Sequence, residues 1–441
     1  MKKIVKTDLI VGAAIFIVTL FVFWRSPVPQ IADSNYSMLV SESLLHHGSF
    51  ALDHYAIPGV NSSLPTEPKP NYNAYQLQVK DGHIYYFFPV GSSVLSVPFV
   101  AVMNLVGVSA VDEKGVFDYL GEVRIEVNLA ALLMAGLAAL FFFTSRLLLP
   151  LRWSVLIALG GALGTQVFST ASRGLWSDTW GIFLLGVVIW MLVANERGTR
   201  PLNPILLASL LAWTYFVRPT YCIPIIAISV YLLVSYPSLF KRYAITGAAW
   251  FVGFILYSRY QFGQMLPDYY QASRLTFDSF RVAFAGNLIS PSRGLLIFVP
   301  VLAFIVYLLV RYAKELPHRR LVVLAVSIII VHLIVVAGFV PWWGGHCYGP
   351  RYTTGLVPWF VLLSILAVKA GLTAQEKYGS KTTLEWRVEC VVGLLFLACS
   401  VAINGNGAVN RRTGNWNLRP VNVDERPERV WDWRDPQFLA K

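Results

Sequence analysis

Charge is scarce in this chain. Only 14% of the 441 residues are Asp, Glu, Lys or Arg, while 56% are hydrophobic. A membrane crossing needs about 20 apolar residues and tolerates few charges, so this balance belongs to a polytopic membrane protein. Cysteine is thin as well. Cys222, Cys347, Cys390 and Cys399 show no metal-binding spacing, and at least two sit in apolar runs, which excludes a disulfide framework. Neither an internal repeat nor a low-complexity tract is present, and the inverted repeats of many transporters are not evident. Acids number 24 against 36 Lys and Arg. The net charge of +12 does not call for nucleic acid, because the bases are spread through short loops, where they orient a membrane protein. After the first apolar run, Leu9–Trp24, comes no small-residue cleavage site, so the run reads as a retained anchor.

Eleven apolar runs are suited to crossing. They are Leu9–Trp24, Ile125–Ser145, Trp153–Thr170, Asp178–Asn195, Asn203–Val217, Tyr221–Tyr236, Tyr243–Ser258, Gly294–Arg311, Leu321–Val340, Thr353–Ala370 and Val388–Asn404. A twelfth, Phe87–Val108, carries Pro89, Gly91, Ser92, Ser93 and Pro98, which weaken it as a straight spanning helix. If it re-enters the membrane or lies on it, the main basic clusters all face the cytoplasm: Lys2/Lys3/Lys6, Arg146/Arg152, Arg197/Arg200, Lys241/Arg242, Arg311 to Arg320, and Lys377/Lys381/Arg387. The expected fold is therefore all-α, with about eleven transmembrane helices plus one re-entrant or interfacial segment. Residues 1–404 form the membrane domain. Within it, 25–124 is a long first outer loop containing segment 87–108, and 259–293 is a second outer loop. Residues 405–441 make an outer C-terminal tail. The first loop holds no apolar core of its own, Tyr36–His47 reads as an amphipathic surface helix, and Pro58–Tyr75 as irregular chain.

Arginine is oddly placed on that outer side. Arg124, Arg173, Arg218, Arg293 and Arg351 stand at different helix ends, several in tight turns such as Arg218-Pro219, Ser290-Pro291-Ser292-Arg293-Gly294 and Gly349-Pro350-Arg351-Tyr352. Singly, each is better explained by snorkelling to a headgroup or pairing with a carboxylate. Together they suit one anion, because a guanidinium fork grips phosphate in a bidentate manner. Among the acids, Asp33 and Asp178 lie at membrane boundaries. Asp178 opens a helix, so an N-terminal cap explains it as readily as a site does, and Asp33 could also cap the following helix. A base at the bilayer rim can reach the hydroxyl of an acceptor beside a lipid-borne substrate. The turn Pro341-Trp342-Trp343-Gly344-Gly345-His346-Cys347-Tyr348-Gly349-Pro350-Arg351-Tyr352 offers an aromatic wall next to a guanidinium. Tandem Trp at this depth is otherwise an interface belt. His46, His47, His83 and His346 are candidate ligands for a divalent metal, but no spacing pairs them with each other or with acids, so no metal or other cofactor is indicated.

These features resemble the bacterial polyprenyl-phosphate-dependent glycosyltransferases of the GT-C superfold, relatives of protein O-mannosyltransferases and lipid A aminoarabinose transferases. The residues that carry the likeness are Asp33 after the first helix, the aimed arginines, the Trp-Trp-Gly-Gly…Gly-Pro-Arg-Tyr turn and the stretch Val430-Trp431-Asp432-Trp433-Arg434-Asp435-Pro436-Gln437-Phe438-Leu439. What the resemblance implies is an inverting transferase in the bacterial cytoplasmic membrane, working on the outer, periplasmic side. Its donor is a polyprenyl-phosphate sugar and its acceptor a glycan, lipid or protein. Asp33 takes the role of general base, and Arg124, Asp178 and the other arginines fall on family positions or on the donor phosphate. Tyr352 stands beside that phosphate, while Tyr36, Asp178, Trp342, Trp343, His346 and Tyr348 shape the sugar and acceptor pocket. The mannosyltransferase relatives often carry two adjacent acids after the first helix, whereas Asp33 is followed by Ser34. Competing readings are an oligosaccharide ligase with a diphosphate-linked donor, a lipid-linked sugar flippase or transporter, and a structural subunit docking a partner through 411–441. Among these, transport would favour charges in mid-membrane, yet nearly all charges lie at run ends. The Trp-rich tail is expected to pack on the protein. Single cysteines placed between Gly107 and Val116 should label from outside the cytoplasm, and labelling from the cytoplasm alone would overturn the re-entrant topology.

Overall fold

A computed structural model describes residues 6–61 and 74–440. Helix α1 (Lys6–Arg25) leads through an extended loop to α2 (Ser37–His47), then to an antiparallel hairpin of β1 (Leu77–Lys80) and β2 (His83–Tyr86) with Leu77 opposite Tyr86. Next come α3 (Gly91–Leu105), α4 (Tyr119–Arg146) and α5 (Leu151–Leu163), which a π-helical turn at Val167–Ala171 extends. Then follow α6 (Ser177–Glu196), α7 (Pro204–Val217), α8 (Cys222–Ser235), α9 (Pro237–Phe262) and α10 (Phe280–Ile289). Helices α11 (Leu295–Phe298), α12 (Val301–Arg311), α13 (Arg319–Val336), α14 (Val357–Tyr378), α15 (Ser380–Val409) and α16 (Arg411–Asn415) complete the chain.

Among the described residues, seven helices are long and apolar enough to cross a membrane: α1, α4, α6, α9, α13, α14 with the turn before it, and α15. The other four of the eleven expected runs fall on shorter apolar helices, α5, α7, α8 and α12, of 13, 14, 14 and 11 residues. Proline shortens some of them. Pro219 pushes Arg218 to φ −158 and ψ 127, because a residue before proline is driven out of the helical region, and α7 ends there. Pro300 likewise separates α11 from α12. Helix α14 lies at the centre, with Trp359, Leu362, Ile365 and Leu366 fully buried. Long α4 packs Leu129, Met134, Leu137 and Phe141 against Ile15 and Phe23 of α1. Helix α9 faces outward with Ile245, Phe251, Val252 and Leu256 exposed. An apolar outer surface on a helix whose backbone bonds are all internal is what a hydrocarbon surround requires.

Between α1 and α4 the structure departs from expectation. The segment does have an apolar core, made by Tyr36, Leu39, Val40, Leu52, Ile57, Tyr86 and Phe88. Helix α2 is no surface helix, since Ser37 through Ser43 are all buried beneath α3 and α4. Small residues permit this: three serines in α2 let neighbouring backbones approach closely. Of Pro58–Tyr75, residues 62–73 lie outside the described chain. Helix α3, the core of segment 87–108, has 15 residues and is about 22 Å long, too short for a hydrocarbon layer of about 30 Å. It buries Ser92, Ser93, Ser96 and Val100 and leaves Val102 and Leu105 exposed. Gly91 brings its N-terminus onto α7, because an added Cβ would sit 2.4 Å from the backbone of Phe216. Residues beyond α16 fold back over the 341–349 turn, burying Trp416, Val423 and Val430 with Trp342. Gly91→Val should destabilise the protein by about 1–3 kcal/mol through this overpacking, seen as a lower thermal unfolding midpoint in detergent. An unchanged midpoint would mean that α3 does not rest on α7.

Candidate functional site

The loop that carries Asp33 is held largely by contacts that do not involve its carboxylate. Where α1 stops, its last carbonyls need donors, and Arg173 supplies them. Its guanidinium donates to the carbonyls of Phe23 (2.6 Å), Val28 (2.9 Å), Ser26 and Ser172. In return the Gln30 N–H donates to the Arg173 carbonyl at 2.7 Å, and Gln30 Nε2 to that of Ser169 at 2.7 Å. Gly174 makes the approach possible, since a Cβ there would stand 2.3 Å from the Gln30 oxygen. Further along, Gln76 Nε2 donates to the Ala32 carbonyl at 3.0 Å and the Tyr86 hydroxyl to that of Asp33. Ser34 Oγ donates to Glu126 Oε2 at 2.7 Å.

So held, the Asp33 carboxylate meets Arg351 in an ion pair and accepts the Tyr75 hydroxyl at 3.1 Å. Burial alone would push the Asp33 carboxyl up, but the charge and hydrogen bond of Arg351, with the Tyr75 bond, hold it below the ordinary carboxylate range. Tyr75 moves the opposite way, raised by burial and by the Asp33 charge. Arg351 lies over the Trp176 ring, 3.7 Å from its centroid, a stacked cation–π contact that fixes the guanidinium plane. Its Nε is buried without a hydrogen-bond partner. Beside this pair sits a second, Asp178 with Arg218, whose side chains are 4% and 6% exposed. Arg218 also reaches Ser177 Oγ at 3.4 Å. The two pairs are neighbours, since the Arg218 charge acts on Asp33, and Tyr269 lies within reach of Asp33, Arg218 and Arg351 together. A small pocket of about 20 Å³ opens next to them, lined by Asp33, Ser34, Ser37, Tyr86, Ser92 and Ser177. Buried Ser92 Oγ has no hydrogen-bond partner among the described residues, and Ser37 lies beside Glu126.

Thus Asp33, Asp178, Arg218, Arg351 and Tyr352 are brought together, Tyr352 donating its hydroxyl to the Pro341 carbonyl at 3.1 Å. The other expected site residues stand elsewhere. Arg173 spends its donors on backbone carbonyls, as described. Arg293 is 1% exposed and donates to Trp343, Ser292 and Gly345 carbonyls, Gln437 Oε1 and Asn417 Oδ1. With every nitrogen engaged, neither of these two has a free edge for phosphate. Arg124 is exposed on α4, with no side-chain hydrogen bond or ion pair among the described residues. Tyr36 packs on Phe117 with ring centroids 4.8 Å apart, at a left-handed φ of 73 before α2. The expected aromatic wall is a clasp for the tail. Trp342 packs against Gly286 and Trp431, Trp343 Nε1 donates to Asp424 Oδ1 at 2.8 Å, and His346 pairs with Asn422 Oδ1 at 2.8 Å. Tyr348 donates its hydroxyl to the Ile403 carbonyl at 2.6 Å.

Two acids prominent in the structure carry no role in the sequence reading. Glu122 and Glu126 are both 0% exposed, one helical turn apart on α4. Glu122 Oε1 accepts the Met38 N–H at 3.2 Å and Glu126 Oε2 the Leu175 N–H at 2.9 Å. The signal was an i, i+4 pair of acids opening an apolar run, a costly placement. Among the described residues, no group of three or more His, Cys, Asp or Glu is arranged to hold a metal ion. No family model matches the chain, and no curated protein sequence matches it. Arg173→Ala should cost on the order of 3 kcal/mol or more, because it strands several buried carbonyls. Arg173→Lys should rescue little, as one ammonium cannot span Phe23, Ser26 and Val28. Wild-type stability of either variant, by thermal unfolding, would contradict the structural task of Arg173.

Proposed function

We propose that this protein is an integral membrane glycosyltransferase. It transfers a sugar from a polyprenyl-phosphate donor to a glycan, lipid or protein acceptor, on the outer face of a bacterial cytoplasmic membrane. The observation that carries the reading is the Asp33–Arg351 pair: an ionised carboxylate set against a stacked guanidinium whose Nε donates to no protein group. A base and an anion-binding edge thereby share one point. Outside a cytoplasmic membrane no nucleotide sugar is at hand, so the donor arrives on a lipid, and its phosphate needs a fixed cation.

In this reading the acceptor oxygen attacks the anomeric carbon from the face opposite the phosphate. A bond forms between that oxygen and carbon as the bond from carbon to phosphate oxygen breaks, and the configuration inverts. Asp33 takes the acceptor proton. The departing lipid phosphate gains negative charge, which Arg351 and Arg218 stabilise from fixed positions. The unpartnered Ser92 hydroxyl in the adjoining pocket suits a hydroxyl-rich ligand. For the isoprenoid tail there is an apolar groove of about 130 Å³ between α5, α12, α14 and α15, with Ile157, Phe304, Leu308 and Phe360 on its walls. Thr165 marks one end of it, next to Gln166, which donates to Thr353 Oγ1 at 3.0 Å, two residues from Arg351. A diphosphate-linked donor is the second reading, favoured by the presence of the second guanidinium, Arg218.

Purified protein given prenyl-phosphate sugars and candidate acceptors should show transfer, and Asp33→Asn should lower it at least about 10²-fold. Undiminished transfer by the variant would sink the base assignment. The pH dependence follows from the lowered Asp33 pKa. A carboxyl depressed below about 3.9 keeps its ion pair at every pH above that value and loses it as pH falls through the depressed one. Transfer should therefore show no acidic limb from Asp33 between about pH 5 and 8. Faster turnover with prenyl-diphosphate donors than with monophosphates would favour the ligase reading.

A further inference from the structure

Glu122 and Glu126 take no part in the transfer chemistry, yet burying two carboxylates without a cation is expensive. Neither forms a salt bridge among the described residues. What they hold explains their place. Helix α2 begins at Tyr36 without a side-chain cap, and Glu122 Oε1 reaches across from α4 to accept the second helical N–H, that of Met38. An acid supplied from another helix thus does the work of an N-cap and meets the positive end of α2. Glu126 is more pointed. One oxygen, Oε2, accepts both Ser34 Oγ–H and Leu175 N–H. Ser34 follows Asp33, and Leu175 precedes Trp176, on which Arg351 is stacked. A single atom therefore ties the carboxylate side of the site to the platform beneath its guanidinium. The other oxygen of each acid, Glu122 Oε2 and Glu126 Oε1, is buried, and the two carboxyls face each other one helical turn apart.

We propose that Glu126, seconded by Glu122, is the positioning residue of the site. It keeps Asp33 in register with Arg351 by clamping Ser34 and Leu175 to α4. The catalytic consequence rests on the reading of Asp33 as general base, whereas the clamp itself does not. Since one oxygen receives both bonds, an amide oxygen can replace it, so the device needs an acceptor and not a charge.

A probe blind to catalysis tests the clamp. In Asp33→Cys the thiol stands where the carboxylate stood, and Arg351 should lower its pKa below the usual 8.5 or so. The readout is the pH midpoint of iodoacetamide alkylation of that thiol, followed by mass spectrometry of the peptide that spans position 33. Adding Glu126→Ala should return the midpoint upward by about one pH unit, while adding Glu126→Gln should leave it near that of Asp33→Cys alone. Should Glu126→Ala fail to fold, Ser34→Ala removes one arm of the clamp alone and should give a smaller shift in the same direction. A midpoint unmoved by Glu126→Ala, or by Ser34→Ala where that stands in, overturns the proposal. So does Glu126→Gln acting as Glu126→Ala does, because then the charge matters and not the acceptor. In transfer assays Glu126→Ala should lower kcat about 10- to 100-fold with little change in donor KM, and Glu126→Gln should recover most of it. Alkylation shifts without any wild-type transfer would refute the glycosyltransferase reading and leave the clamp standing.

Discussion

The ion pair between Asp33 and Arg351 is the contact around which the rest is arranged. Either charge alone would be hard to place at the end of an apolar bundle, and neither could hold its position without help. Trp176 supplies a flat bed for the guanidinium. Arg173, Gln30, Gln76, Tyr86 and Glu126 fix the backbone and neighbours of the acid. The pair is thus the visible end of a longer chain of contacts that reaches into α1, α4, the hairpin and α6. Preorganisation of this kind is what a reacting site needs, since a group that must first be ordered loses the benefit of proximity.

Arginine plays two distinct parts here, and only geometry separates them. Arg173 and Arg293 act as multi-pronged staples: each collects carbonyls or amide oxygens from segments distant in sequence and is sealed from solvent in doing so. Arg218 and Arg351 instead each face one carboxylate and retain unused donors. In sequence all four sit in the same kind of Gly/Pro-punctuated turn. A guanidinium aimed by such a turn is aimed at something, but composition does not say whether the target is a ligand or the chain's own backbone.

Hydropathy made the helices legible. Leu9–Trp24, Ile125–Ser145, Asp178–Asn195 and Thr353–Ala370 fall within α1, α4, α6 and α14 with its preceding turn, since apolar runs of that length have few alternatives. Proline at 219 also marked a true break, whereas Pro300 divides Gly294–Arg311, which hydropathy reads as one run. The first loop was harder, because its core is assembled from Tyr36, Leu52, Ile57 and Tyr86, which no local periodicity links. Asp33, Asp178, Arg218 and Arg351 could be picked out by their boundary positions. Trp176 could not, and the Glu122/Glu126 pair showed only its costly placement, because what both touch lies across long sequence separations. The Trp342-Trp343 turn misled for a physical reason: aromatic rings that suit a sugar suit equally well a folded-back tail such as Trp416 to Val430.

That folded-back tail sets the order in which the site can come into being. Gln437 accepts from Arg293 and from the Gly349 N–H, 144 and 88 residues away, and donates to the Cys347 carbonyl. A ribosome delivers Gly349-Pro350-Arg351 long before Gln437, so throughout that interval the Gly349 N–H lacks this acceptor and Arg293 keeps only its Ser292, Trp343 and Gly345 carbonyls. Helices α1 to α14 can already be in the bilayer while the turn is still open. The arrival of Gln437 acts as a keystone: one side chain from near the end of the chain joins Gly349, Cys347 and Arg293, closing the turn that leads to Arg351.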